Sequence, residues 1–194
     1  MKMVPTYDGI SVVSRLSKLD RAAHAAFAAA CAEALLPLAS RSSNSVRDQL
    51  AVALSGVWTV IAGGRADLEV SRTLAQSLVP NDFGDWTFEM GYLQNTASSV
   101  AYAAMTVLED SSRFAELAGQ QLYEVADYAA QHQLHDLDLN VPTAEAALTS
   151  QPVVQAALEI LDSLLGWVEK EGWRWEDVRY WAAETGEPWA ATFP

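Results

Sequence analysis

The sequence predicts an all-α fold, a single-domain bundle of about seven to eight helices, from three observations. Thirty-three of the 194 residues are alanine, which has the best intrinsic helix propensity and lets helices approach closely. Apolar residues recur at three- and four-residue spacing, and no segment shows the period-2 alternation of a half-buried strand. Hydrophobic residues make up 51% of the chain and charged ones 19%, so there is material for a core and too little charge for disorder. The length suits one domain, residues 1–194, with a Trp-rich C-terminal helix and tail over residues 172–194 packed on the bundle.

Each element has a local reason. Asp20 caps a helix running through the alanine-rich stretch to Leu36, and Pro37 ends or bends it. Ser45 and Asp48 form a capping box. Val46, Leu50, Leu54, Val57 and Ile61 follow at helical spacing until Gly63 and Gly64 close the segment. A short helix over residues 67–79 is stopped by Pro80. Residues 81–85 read as a loop, with Asp85 capping a helix that reaches Leu108. Ser111 opens the most amphipathic segment, in which Phe114, Ala118, Leu122, Val125 and Ala129 form an inward stripe. Glu116, Gln120, Glu124, Asp127 and Gln131 form the opposite one, an outer acidic face. Residues 132–142 connect, and Thr143 starts a short turn. Ser150, Gln151 and Pro152 open a helix with proline in its first turn, which Val153, Ala157, Ile160, Leu164 and Val168 carry inward. Gly172 breaks it, residues 175–185 make one more short helix, and residues 186–194 read as irregular.

Charge narrows the partners. Residues 1–79 hold eight Lys/Arg and six Asp/Glu, whereas residues 80–194 hold four and 19, within a formal net charge of −13. Nucleic acid and anionic membrane surfaces need clustered cations and are disfavoured. A basic protein is attracted by such a field. One cysteine (Cys31), no basic-then-apolar leader, and a longest apolar run of eight residues (25–32) fit a cytoplasmic protein.

Motifs for chemistry are few. His132 and His135 with Asp136 and Asp138 are the one cluster of metal-ligand residue types. Leu134, Leu137 and Leu139 interleave it like core anchors, so the expectation is no bound metal and no cofactor. His24 and Cys31 are seven residues apart, roughly 10 Å along a straight helix, too far to hydrogen-bond. Cys31 therefore reads as core. Glycine loops for phosphate and a Gly-x-Ser-x-Gly elbow are absent, and adjacent acids such as Glu109 and Asp110 point in different directions on a helix. An enzyme is not expected.

Aromatic and acidic residues mingle in two places. Trp167, Trp173, Trp175 and Trp181 fall within fifteen residues, beside Glu176 and Asp177. These rings either pin a C-terminal flap to the bundle or form an interface, where tryptophan dominates binding energy. Asp82, Asp85, Trp86 and Glu89 make the second mixture. Together with Glu116, Glu124 and Asp127 these residues are the candidate partner-binding set for a basic protein. In its most concrete form the protein is an immunity or antitoxin-type protein covering the active cleft of a toxin domain. The alternatives are a housekeeping protein, as a homodimer, and a metal-dependent enzyme built on His132 and His135.

Residues 27–37 (FAAACAEALLP) resemble the signature helix of the YjaG-like bacterial proteins, the domain-of-unknown-function family DUF416. The likeness continues through residues 50–58 and 99–108 and through Ser150-Gln151-Pro152-Val153-Val154-Gln155, spanning most of residues 20–170. It implies an all-helical fold of roughly this length and no assigned activity. The chain departs from the family pattern at Ala34, Leu38, Ala39, Ala157 and Leu161, and in its Trp-rich ending.

Overall fold

A helix that is apolar on every side has to be enclosed, and residues 21–39 make one. The computed structural model describes residues 5–80, 86–135, 137–138, 141 and 143–194. Among these the chain forms α1 (Gly9–Leu16), α2 (Arg21–Ala39), α3 (Asn44–Ile61), α4 (Leu68–Ser77), α5 (Phe88–Glu109), α6 (Ser112–Gln133), α7 (Ala144–Thr149), α8 (Pro152–Glu169) and α9 (Trp175–Ala190), and no strand. The fold is all-α as expected. α1 is the helix the sequence pattern did not mark, because eight residues hold only two turns of periodicity.

In α2, 14 of 19 residues are buried, and α3, α5, α6, α8 and α9 all pack on it. Among the described residues it is the one helix long and apolar enough to cross a membrane; here its neighbours cover that surface. Methyl-sized side chains at Ala25, Ala26, Ala28, Ala29, Ala30 and Ala32 let helices close in from several directions.

Capping follows the local rules. Asp20 accepts from the Ala23 amide at 2.8 Å, Asp67 from those of Glu69 and Val70, and Ser111 from that of Phe114. Two starts differ from expectation. α3 is capped by Ser43, which accepts from Val46 N at 3.1 Å, so Ser45 lies inside the first turn and forms no capping box. α5 starts after Thr87, and the expected cap Asp85 lies outside the described residues.

Neither proline marks the end of its helix. α2 continues past Pro37 to Ala39. A proline this near the end costs one donor, to the Glu33 carbonyl, and Leu38 and Ala39 are fully buried beyond it. α9 runs through Gly186 and Pro188 to Ala190, where an irregular tail was expected. The reason is tertiary. A Cβ on Gly186 would stand 2.5 Å from the Ala34 carbonyl oxygen, so the missing side chain lets α9 lie directly on α2. Beyond it Trp189 is buried and its indole N–H donates to the Val153 carbonyl at 3.2 Å. Arg41 donates to the carbonyls of Ala190 and Phe193 at 3.1 and 3.0 Å. This anchoring outweighs the helix penalties of glycine and proline.

α1 packs on α6 and α8. Arg15 donates to both carboxylate oxygens of Glu169 at 2.7 Å and to Asp162 at 2.6 Å. Those bonds from Arg15 hold the Glu169 carboxyl below the ordinary carboxylate range.

Two outcomes follow for stability. Gly186→Ala should push α9 off α2 and cost about 1–3 kcal/mol, read as a lower urea midpoint. Arg15→Gln should lower stability at neutral pH by no more than about 1 kcal/mol, since the pair is partly exposed. A carboxyl with a depressed folded pKa stabilises above its unfolded pKa and loses that contribution as pH falls through the folded value. Wild type and Arg15→Gln should therefore converge in acid, as paired denaturation curves across pH will show.

Candidate functional site

α9 sorts its residues by face. Val178, Ala182, Gly186, Trp189 and Ala190 turn inward. Glu176, Asp177, Tyr180, Glu184 and Glu187 are exposed, and spacings of three and four place them on one stripe. Tyr180, 68% exposed, shares that stripe with the four carboxylates, and nothing in the local sequence marks it. Only the helical phase shows that Tyr180 points away from the side of Val178 and Ala182. The Glu176 carboxyl is held below its usual range by its own backbone N–H at the helix start, with Arg174 beside it at 3.4 Å.

Trp173, Trp175 and Trp181 are half-buried against the core. Trp175 meets Trp58 at 6.1 Å. These rings hold α9 and the turn before it on the bundle, the flap arrangement. Trp86, 43% exposed, and Glu89, exposed, stand near the start of α5. Asp82 and Asp85, expected beside them, lie outside the described residues.

Glu116 is a correction. It was expected on an outer acidic face with Glu124 and Asp127, yet it is 1% exposed. The stripe is where the pattern put it, but α1 and the residues before it cover that end of α6. The Tyr7 hydroxyl donates to one carboxylate oxygen and Arg113 to the other. Tyr7 stacks on Tyr123 with centroids 5.2 Å apart, and a Cβ on Gly9 would fall 2.5 Å from Glu116 Oε1. Burial, then the Glu116 contact, pushes the Tyr7 phenol above its usual range. With both oxygens occupied, Glu116 locks α1 in place and offers no charge to a partner. Glu124 remains exposed and accepts from Gln120 and Gln121. Asp127 is half-buried and accepts from Gln131 at 2.6 Å.

The histidine cluster has another use for one member. The His132 ring stacks on Phe88 at 3.9 Å, and Phe88 stacks on Tyr128 at 4.9 Å, tying the end of α6 to the start of α5. Asp136 lies outside the described residues, and among the described residues no group of three His, Cys, Asp or Glu side chains is placed to hold a metal. His24 Nε2 lies 2.7 Å from the Leu16 carbonyl oxygen, so that nitrogen carries the proton. Cys31 is fully buried, and burial pushes its thiol well above the usual range.

A groove between α3 and α9 was not foreseen. Glu33, the acid within α2, accepts the Trp58 indole N–H at 2.7 Å and pairs with Arg179 Nε at 3.3 Å. The Arg179 guanidinium lies over the Trp58 ring, 5.6 Å from its centroid. The groove beside them has walls from Ser55, Thr59, Trp175 and Arg179. Three helices bring Glu33, Trp58 and Arg179 together, which no local spacing announces.

No family model matches the sequence, and no curated protein matches it. Among solved structures, a DUF416 family protein from Shewanella baltica OS155 superposes with a TM-score of 0.74, covering 89% of this chain and 93% of that chain at 15% sequence identity. The fold is that of a DUF416 family protein. The fold that the resemblance implied is thus found in a solved DUF416 structure, and at this identity the fold alone is shared.

Tyr7→Phe removes a donor from a buried carboxylate and should cost about 1–3 kcal/mol. Hydrogen exchange should show α1 losing protection before the rest of the bundle; equal loss throughout would contradict a local lock.

Proposed function

We propose that this is a non-enzymatic binding protein that covers the basic face of a partner protein, most concretely an immunity-type protein seated over the active cleft of a toxin domain. The observation that carries the reading is the outer face of α9, where Glu176, Asp177, Glu184 and Glu187 share one exposed stripe with the ring of Tyr180. A tyrosine gives an interface a large amphipathic contact with few rotors to freeze. Carboxylates around it attract a cationic surface and repel nucleic acid and anionic lipid.

Other features support the same reading. Residues 80–194 hold 19 acidic residues against four basic ones, so the field of that part of the chain favours a basic protein. The tryptophans brace α9 from behind, which keeps the stripe rigid and lowers the ordering cost of binding. Glu116 is removed from the candidate contact set by its burial, and Tyr180, Glu184 and Glu187 join it.

The test is retention of partners from the source organism's lysate on immobilised protein, eluted with a salt gradient. One basic protein should be recovered near equal stoichiometry and released by salt. Tyr180→Ala combined with Glu184→Lys should abolish its capture while leaving the unfolding free energy within about 0.5 kcal/mol, as expected for exposed positions. Recovery of the bait alone, together with a dimer by sedimentation, would replace this reading with the homo-oligomeric one.

A further inference from the structure

We propose that the groove between α3 and α9 is a binding site for a small aromatic carboxylate, with Arg179 as its anion-receiving group and Trp175 as its stacking wall.

Of the nine arginines, Arg47 and Arg65 are exposed on the surface, Arg174 pairs with Glu176, and five more are committed. Arg15 serves Glu169 and Asp162, Arg21 the Val107 carbonyl, Arg41 the carbonyls at the end of α9 and beyond, Arg72 Glu69 and Gln76, and Arg113 Glu116. Arg179 is different. Its Nε faces Glu33 and its plane lies over Trp58, but its two terminal nitrogens meet no acceptor among the described residues. A guanidinium fixed at one edge and open at the other is preorganised for a two-oxygen acceptor.

The surroundings agree. In a chain of net charge −13, the groove beside Arg15 includes Asp8 and Asp162, and the one beside Arg21 and Arg65 includes Asp67 and Glu69. No acid lines the groove beside Arg179. Glu33 stands behind the guanidinium, 3.3 Å from Nε, and orients it. Trp175 is half-buried and lines the groove, and Ser55 adds an exposed hydroxyl; the Thr59 hydroxyl donates to the Ser55 carbonyl at 2.8 Å. The space is about 270 Å³, below the drug-sized range, so it takes a molecule of one ring.

The probe is benzoate, with its neutral isostere benzamide, titrated into the full chain and followed through the tryptophan indole N–H signals in NMR spectra. Benzoate should bind saturably and at least about tenfold more tightly than benzamide, as a charge-assisted bidentate contact requires. Arg179→Gln should remove that preference, and Arg179→Lys, which keeps the charge and the Glu33 pairing, should weaken it by losing the fork. Arg174→Gln should leave it unchanged. Equal affinity for the two probes, or a benzoate preference undiminished in Arg179→Lys, would overturn the proposal even if Arg179→Gln fails to fold.

Discussion

The enclosure of α2 is the constraint on which the remaining structure depends. A helix apolar around its whole circumference leaves no face for water, so other helices must supply every side of its surroundings. Five do so, and the alanines of α2 set how near they come. Gly186 is the sharpest instance, since α9 rests on the backbone of Ala34 with no room for one further carbon. That contact carries α9 past the positions where glycine and proline would otherwise stop it, and it fixes the helical phase that turns Tyr180 outward.

The same constraint explains the placement of polar groups. Glu33 lies on a helix otherwise surrounded by apolar atoms, and a carboxylate there needs partners. Trp58 and Arg179 provide them, which ties α3 and α9 to α2 and leaves an ordered guanidinium at the surface. Glu116 meets the same requirement on α6 through Tyr7 and Arg113. In both cases a charged group enters the interior with its hydrogen bonds arranged, and a segment distant in the chain is held by it. Removal of one partner from such a group is more damaging than loss of an exposed pair.

Function, on the reading proposed above, lies where the packing leaves residues over. The inward residues of α9 dock on the bundle, and its outward residues are free to carry charge and one aromatic ring. The tryptophans, which composition left open as flap or interface, are half-buried against the core behind that face. Large rings are well suited to such bracing, since each covers more core surface than any aliphatic side chain.

The sequence by itself determined the helical class, the helix starts at Asp20 and Ser111, the inward stripes of α6 and α8, and the sign of the field over residues 80–194. These are local or additive properties, carried by spacing within a few residues or by simple composition. Tertiary structure decided which stripe is covered, and so buried Glu116 under a short N-terminal helix whose pattern is too brief to read. It also decided that α9 continues through Gly186 and Pro188, and that Glu33, Trp58 and Arg179 meet. Coverage depends on residues far away in the chain, and helical periodicity records which side a residue faces without recording what will lie there.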